Sequence, residues 1–313
     1  MGKKNSSDKL VIAAASAGAA LGAAYLAVGN VIFDKALSRK SVAKQTEDKK
    51  ENYEGITREG IEWYDSMNAA KVRIVSPKGG YIHGEIILAE KPTSVWVIVN
   101  HGYTGSPRRM GSFGKEFHNM GYNCLFPHLC GHGESENDYV AMGWDDRIDV
   151  KAWIEYIINE DPNAKIVLFG LSMGAATVMM TTGEPLESNV VCAVEDCGYT
   201  SVWDECRVKI KDMYNLPTFP FLSAARSATM LRAGYDLKKA SSLDQVARSV
   251  TPTLFIHGDK DDFVPFWMQE RVYRAAACEK EKLVIPGAAH AEASTVAPEL
   301  YWSTVDKFVK KYI

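Results

Sequence analysis

The chain has 313 residues, of which 46% are hydrophobic and 24% are charged, and its formal net charge is −3. This length and composition suit one large folded domain and exclude collagenous, disordered and repeat architectures. A small negative charge and a pI near 6.2 exclude the basic surface that nucleic-acid binding requires, so no nucleic acid is expected as a partner.

The first apolar segment covers residues 10–33 and contains no charged residue. At about 1.5 Å per residue, a helix of this length crosses a hydrocarbon core of about 30 Å. We therefore predict a single-pass N-terminal anchor in the cell membrane, with the side that carries the folded domain left open. A secretory signal peptide is the alternative, because Lys3, Lys4 and Lys9 precede the segment and residues 27–29 suit cleavage, which would give a secreted protein. An Ala-rich helix outside any membrane is the third interpretation.

Composition divides the chain into four parts. Residues 1–9 form a basic tail and residues 10–33 the predicted transmembrane helix. Residues 34–51 are polar and charge-rich, which is typical of a linker or an exposed helix. The catalytic part of the chain is expected over residues 52–313.

Apolar and helical segments alternate through this folded part. Strands are predicted at residues 72–75, 81–89, 95–100, 122–127, 165–169, 190–195, 253–257 and 282–285. Helices are predicted at residues 111–120, 144–159, 175–182, 266–277 and 298–312. The alternation favours an α/β fold with a mostly parallel sheet of about eight strands and helices on both faces. The first two strands have no long helix between them, which predicts an antiparallel start.

Residues 202–250 break the alternation. They follow the sixth strand, are rich in aromatic, methionine and basic residues, and contain Pro217 and Pro220. We predict a helical cap over the carboxyl ends of the strands, where open α/β sheets bind ligands. A long surface excursion without a role in binding is the alternative.

The stretch Gly170-Leu171-Ser172-Met173-Gly174 lies between a predicted strand and a predicted helix. The pattern G-x-S-x-G in this context is typical of a nucleophile elbow. A serine hydroxyl is a poor nucleophile at neutral pH, so it must be presented on a sharp turn beside a base, and flanking glycines permit that turn. Ser172 is therefore the predicted nucleophile.

A serine nucleophile needs a base, and the base needs an acid that orients it. In this chemistry the two follow in the order acid, then histidine, on loops after later strands. Of the seven histidines, His290 alone combines this order with a position directly after a strand. Asp259, Asp261 and Asp262 follow the preceding strand. A carboxylate there would hold His290 in the tautomer that accepts the Ser172 proton.

From about residue 72 to its end, the chain resembles α/β-hydrolases of the serine aminopeptidase-like, esterase and lipase type. The segments that carry the resemblance are Asn100-His101-Gly102-Tyr103, Gly131-His132-Gly133-Glu134-Ser135, residues 170–174, residues 258–265 and His290. The resemblance implies an α/β-hydrolase fold and selects Asp261 as the acid, because the pair Val264-Pro265 follows it closely. Asp196, after the sixth strand, is the acid position of some related lipases and remains the alternative.

The resemblance also implies an oxyanion hole made by the backbone N–H groups of Tyr103 and Met173. It implies a serine esterase that cleaves small-molecule or lipid esters through an acyl-enzyme on Ser172. A peptidase or amidase, a monoacylglycerol lipase and an acyltransferase use the same triad and stay open. An aminopeptidase would need an acid to hold the substrate amine, for which Glu205, Asp236 or Glu292 could serve. A non-catalytic, membrane-tethered interaction protein is the remote alternative.

Composition predicts the remaining properties of the site. The six cysteines show neither C-x-x-C nor zinc-site spacing and are interpreted as buried thiols. The acids around Asp261 lack the glycine and glutamate of a calcium loop, so no metal and no cofactor are expected. An apolar pocket is expected, with aromatic residues drawn from Phe219, Phe221, Phe263, Phe266 and Trp267. The oligomeric state is left open.

Overall fold

The structure is a computed structural model that describes residues 6–48 and 55–313. Its centre is one eight-stranded sheet. The strands are β1 (Ala70–Val75), β2 (Tyr81–Ile87), β3 (Val95–Asn100), β4 (Asn123–Pro127), β5 (Lys165–Leu171), β6 (Val190–Asp196), β7 (Thr253–Gly258) and β8 (Lys280–Ile285). Their order in space is β1-β2-β4-β3-β5-β6-β7-β8. Pairing is antiparallel from β1 to β2 and from β2 to β4, and parallel from β4 through to β8, which confirms the predicted sheet.

Helices cover both faces of this sheet. In chain order they are α1 (Ser6–Ala36), α2 (Arg39–Asp48), α3 (Gly55–Ser66), α4 (Gly111–Asn119), α5 (Asp146–Glu160), α6 (Met173–Thr182), α7 (Val202–Tyr214), α8 (Thr218–Arg232), α9 (Ser242–Val246), α10 (Trp267–Ala275), α11 (Ala293–Val296) and α12 (Pro298–Val309). Side chains of α3, α4 and α12 pack in the core on one face. Side chains of α5 and α6 pack in the core on the other face.

Strand β5 shows why the central strands have continuous apolar sequences. Val167 and Phe169 point into the core beneath α4 and α12, whereas Ile166 and Leu168 point into the core beneath α5. All four side chains are fully buried. Alternate residues of a strand face opposite sides, so a strand covered on both sides must be apolar at every position. Each such side chain contributes about 1.5–3 kcal/mol by leaving water.

The insertion between β6 and β7 consists of α7, α8 and α9, which confirms the predicted helical cap after the sixth strand. The hydroxyl of Ser201 accepts a hydrogen bond from the Asp204 N–H (3.0 Å) and so begins α7. Asn215, in the left-handed conformation with φ of 50°, ends it. Cap residues such as Val202 and Ala225 share a buried cluster with Met173, the residue after the predicted nucleophile. The cap therefore lies over the carboxyl ends of the strands.

The prediction of a membrane anchor over residues 10–33, and with it the predicted membrane localisation and tether, is wrong. Among the helices of residues 6–48 and 55–313, none combines the length and the apolar character needed to cross a bilayer. Part of the apolar surface of α1 is used within the protein instead, because Gly29 and Phe33 are buried. A Cβ atom on Gly29 would overlap the Ala224 carbonyl of α8, so the two helices are in close contact. Arg232 of α8 also pairs with Asp34 (2.6 Å).

The segment expected to be a polar linker, residues 34–51, forms the end of α1 and the whole of α2 as far as Asp48. Leu37 and Val42 are buried in the same cluster as the cap residues. The Val140 N–H donates to the Leu37 carbonyl (2.8 Å), so this segment packs on the folded domain. Residues 49–51, the expected domain start near residue 52 and the first five residues of the basic tail lie outside the described residues.

Candidate active site

Ser172 occupies the turn between β5 and α6, with φ of 57° and ψ of −114°. A non-glycine residue at positive φ carries about 1–3 kcal/mol of backbone strain, so the surrounding structure must hold Ser172 in this conformation. A Cβ atom on Gly170 would overlap the Gly174 carbonyl, and one on Gly174 would overlap the Asn100 carbonyl. Only glycine therefore fits at these two positions. The Ser172 N–H donates to the Asp196 carbonyl (2.8 Å), which fixes the turn against β6.

The structure brings Ser172, His290 and Asp261 together at the carboxyl edge of the sheet. Ser172 Oγ lies 2.9 Å from His290 Nε2, and His290 Nδ1 lies 2.7 Å from Asp261 Oδ2. Since a carboxylate only accepts, Nδ1 carries a proton and donates it to Asp261. Nε2 of the neutral ring is then free to accept from the serine hydroxyl. This arrangement can remove a proton from Ser172.

Asp261 is held by a second set of hydrogen bonds. Its Oδ1 accepts from the N–H groups of Phe263 (2.9 Å) and Val264 (2.8 Å). Nε2 of His257 lies 3.2 Å from Oδ2 and 2.8 Å from the Val264 carbonyl. Burial alone would raise the pKa of Asp261, but the hydrogen bonds and charges of His257 and His290 hold that pKa at about 2. Asp261 therefore carries a negative charge at neutral pH.

Sequence reasoning missed the contact of His257 with Asp261. The His257 ring also braces the turn after β7 through its contact with the Val264 carbonyl. The spacing of four residues between His257 and Asp261, directly after a strand, was the available signal.

The other candidate acids have different partners. Oδ1 of Asp259 accepts from the Gly287 N–H (2.7 Å), and Asp262 is exposed. The buried Asp196 accepts from the Tyr301 hydroxyl (2.9 Å), and burial raises its pKa to about 6. The geometry favours Asp261 as the acid that orients the histidine.

Two backbone N–H groups lie next to Ser172. Met173 is the first residue of α6, where an N–H has no acceptor within its own helix. Gly102 approaches so closely that a Cβ atom there would lie 3.4 Å from Ser172 Cβ, which brings the following residue, Tyr103, beside the nucleophile. Within residues 6–48 and 55–313 no backbone carbonyl accepts from the Tyr103 N–H. Both groups can therefore donate to a charge that develops near Ser172 Oγ.

His101 holds the loop that carries Tyr103. Its Nδ1 lies 2.8 Å from the Gly102 carbonyl, and the Leu129 N–H donates to its Nε2 (3.2 Å). Burial lowers the pKa of His101 well below its usual range, so the ring stays neutral. A neutral ring with the proton on Nδ1 satisfies both contacts at once.

A cavity of about 400 Å³ opens above Ser172. Tyr103 and His290 line it together with the apolar side chains of Phe113, Leu171 and Phe263. This volume lies within the range of small-molecule sites. Phe263 is the member of the expected aromatic set that lines this cavity, among the residues that the structure describes. A larger cavity of about 630 Å³ lies between α7 and α8, but neither Ser172 nor His290 lines it.

Cys197, Asp261 and His290 are the one group in the described ranges whose ligand atoms, all within 4.8 Å of one another, could hold a metal ion. Burial raises the pKa of the Cys197 thiol well above its usual range. A metal prefers a thiolate, and two of the three residues already share a hydrogen bond. The donor set therefore suits proton transfer better than metal binding.

Part of the chain is similar in sequence to a known protein family, and most of it is similar to proteins of other organisms. A family model described as Serine aminopeptidase, S33 (Hydrolase_4) matches residues 91–194. The chain is 25% identical to the uncharacterized protein YqkD of Bacillus subtilis over 93% of this chain and 94% of that protein. It is 26% identical to the uncharacterized protein YfhR of Salmonella typhimurium over 77% of this chain and 82% of that protein.

Among solved structures, the Pyrococcus furiosus esterase Pf2001 has a similar fold. The two superpose with a TM-score of 0.65 and 23% identity, over 79% of this chain and 92% of that chain. The family model supports a hydrolase, and this neighbour shows the shared fold. The chain has an α/β-hydrolase fold.

Proposed function

We propose that the protein is a serine hydrolase that cleaves carboxylic esters through an acyl-enzyme on Ser172. The observation that carries this proposal is the unbroken line of hydrogen bonds from Ser172 through His290 to Asp261, with distances of 2.9 and 2.7 Å. The line ends at the cavity, where an ester carbonyl would meet the serine oxygen. A nucleophile, its base and the group that orients the base are thus present in one place.

In the first half-reaction, Ser172 Oγ attacks the ester carbonyl carbon while His290 Nε2 takes the hydroxyl proton. The carbonyl oxygen becomes an oxyanion that accepts hydrogen bonds from the Tyr103 and Met173 N–H groups. His290 then gives its proton to the leaving alcohol, and the acyl group stays on Ser172.

In the second half-reaction, His290 takes a proton from a water molecule, and the resulting hydroxide attacks the acyl-enzyme. Collapse of the second oxyanion returns the proton to Ser172 and releases the carboxylic acid. Asp261 keeps its negative charge throughout and stabilises the imidazolium that forms twice in each cycle.

A peptidase or amidase with the same triad is the second candidate, and the name of the matching family model favours it. Three acids were expected to hold a substrate amine. Both Asp236 oxygens accept from Arg226 (2.6 Å each), Glu292 accepts from the Ala289 N–H (3.2 Å), and Glu205 is buried without lining the cavity. None of the three lines the cavity above Ser172, which favours an ester substrate.

Fluorophosphonate labelling tests the nucleophile. We expect the folded protein to be labelled once, at Ser172, and Ser172→Ala to abolish both labelling and hydrolysis. p-Nitrophenyl esters of short and long acids and aminoacyl p-nitroanilides then separate the two candidate functions. Faster turnover of the anilides would favour the peptidase, and a folded protein that resists labelling would contradict both.

A further inference from the structure

Tyr103 connects the proposed oxyanion hole to a distant part of the chain. Its hydroxyl donates to the carbonyl of Ala36, the last residue of α1 (2.8 Å). Thr104 follows Tyr103 on the same loop, and its carbonyl oxygen lies 3.4 Å from the Thr46 hydroxyl of α2. We call residues 29–48 the N-terminal arm. The oxyanion loop, residues 101–105, is thus held by His101 on one side and by the N-terminal arm on the other.

The N-terminal arm is a firm support. The Arg39 guanidinium donates to the Gly133 carbonyl (2.7 Å), and the Arg39 N–H donates to the Asp138 carbonyl (3.0 Å). Leu37 and Val42 are buried in the cluster that includes the cap. A hydrogen bond to the arm can therefore transmit a fixed position to the loop.

We propose that the phenol of Tyr103 positions the oxyanion donor: its bond to the Ala36 carbonyl holds the Tyr103 N–H where the oxyanion of the reaction forms. This inference rests on the proposed function. Donors to an oxyanion are effective because they are aligned before the reaction, and a small displacement weakens a hydrogen bond steeply.

The geometry assigns this role to the hydroxyl rather than to the ring. The Tyr103 ring packs edge-on against His132, with centroids 6.4 Å apart, and phenylalanine would keep that packing. Burial raises the pKa of Tyr103 to about 12, so the hydroxyl keeps the proton that it donates. Phenylalanine would remove the hydrogen bond from Tyr103 to the N-terminal arm.

The test is Tyr103→Phe, with Tyr199→Phe as the matched control. The Tyr199 hydroxyl also donates to a backbone carbonyl, that of Met142 (3.0 Å), and Tyr199 belongs to the same buried cluster. Complete loss of one oxyanion donor costs about 10²–10³ in kcat, so a displaced donor should cost about 10-fold. We expect Tyr103→Phe to lower kcat about 10-fold with little change in KM. Tyr199→Phe should leave kcat unchanged.

A transition-state analogue separates positioning from general stability. A trifluoromethyl ketone forms an oxyanion on Ser172, so its inhibition constant should rise in Tyr103→Phe by the factor that kcat loses, and stay unchanged in Tyr199→Phe. Arg39→Met loosens the arm at another point. Its effect on kcat should be less than additive with that of Tyr103→Phe, because both act through the same loop.

Wild-type kcat and inhibitor affinity in Tyr103→Phe would overturn the inference, as would equal losses of Tm in both tyrosine variants without a change in inhibition. The proposed function would stand in either case if the wild type is labelled at Ser172. An unlabelled wild type would instead remove the proposed function, and this inference with it.

Discussion

The ring of Phe263 lies against the imidazole of His290, with centroids 4.7 Å apart and planes inclined by 33°. The ammonium group of Lys209, on cap helix α7, lies 3.3 Å from the Phe263 ring centroid and donates to the Phe263 carbonyl (2.5 Å). The cap therefore reaches the proposed base through one aromatic ring, which also lines the cavity.

Phe263→Ala should loosen His290 and widen the cavity. An aromatic pair contributes about 0.5–1.5 kcal/mol beyond burial, so kcat/KM for a short ester should fall roughly 2- to 12-fold. Lys209→Met, which removes the cation but keeps the ring, should cost less. Steady-state kinetics at one pH measures both variants, and an unchanged kcat/KM in Phe263→Ala would refute the role of the ring.

Asp261→Asn should lower kcat by about 10⁴, because an amide cannot stabilise the imidazolium and favours the wrong histidine tautomer. Asp196→Asn should cost less than about 10-fold, since that carboxylate accepts from Tyr301 and not from His290. Ester hydrolysis by the two variants decides between the acids that the sequence left open. A greater loss in Asp196→Asn would move the acid to the end of β6.

The buried, neutral His132 should lower the free energy of unfolding in mild acid, where the unfolded chain binds a proton at this residue. Burial lowers its pKa to about 4, whereas histidine in an unfolded chain has a pKa of about 6.5. Between these values the unfolded chain binds a proton that the folded protein does not, so stability is full above about pH 6.5 and falls as the pH falls. From pH 7 to pH 5 this group should cost about 2 kcal/mol.

Urea unfolding of His132→Asn at pH 7 and pH 5 checks this linkage. The asparagine amide can still donate to the Cys130 carbonyl, as His132 Nδ1 does (3.1 Å), but it does not titrate. The difference in unfolding free energy between the two pH values should shrink by about 2 kcal/mol. The same difference in both proteins would mean that His132 does not titrate as expected.

Substitution of two glycines in α1 tests the contact between α1 and the cap. Gly29→Ala should destabilise the protein by about 1–3 kcal/mol, because the new methyl group overlaps the Ala224 carbonyl. Gly22→Ala should stabilise it by about 0.5–1 kcal/mol, because nothing lies within 4 Å and alanine favours a helix. Thermal unfolding measures both, and equal shifts in the same direction would show that α1 does not pack on α8.

The sheet was predictable because its strands are apolar at consecutive positions, as in β5. In the helices between them, apolar residues recur with a different spacing. Ser172 and His290 were predictable because each follows a strand, and parallel strands end at one edge. The choice of Asp261 over Asp259 and Asp262 depends on the turn after β7, which composition does not determine. It was made by resemblance, and the geometry favours the same residue.

The N-terminal segment could not be predicted in the same way. An apolar run of alanine and glycine has the same composition whether its neighbour is lipid or another helix. What distinguishes the two is the close approach of Gly29 to Ala224, a contact between residues far apart in the chain. Helix α3 was missed for a similar reason, since it packs through Gly60 against Ser112 of α4.

The contact between α1 and α8 also governs how the cleft could open. Helix α8 is fastened to α1 at Gly29 and Asp34, and α1 is fastened to the oxyanion loop at Ala36. The cap helix α8 therefore cannot move independently of α1. An outward movement of α8 would displace α1 and strain its hydrogen bond to Tyr103. An outward movement of the cap would therefore also displace the proposed oxyanion donor.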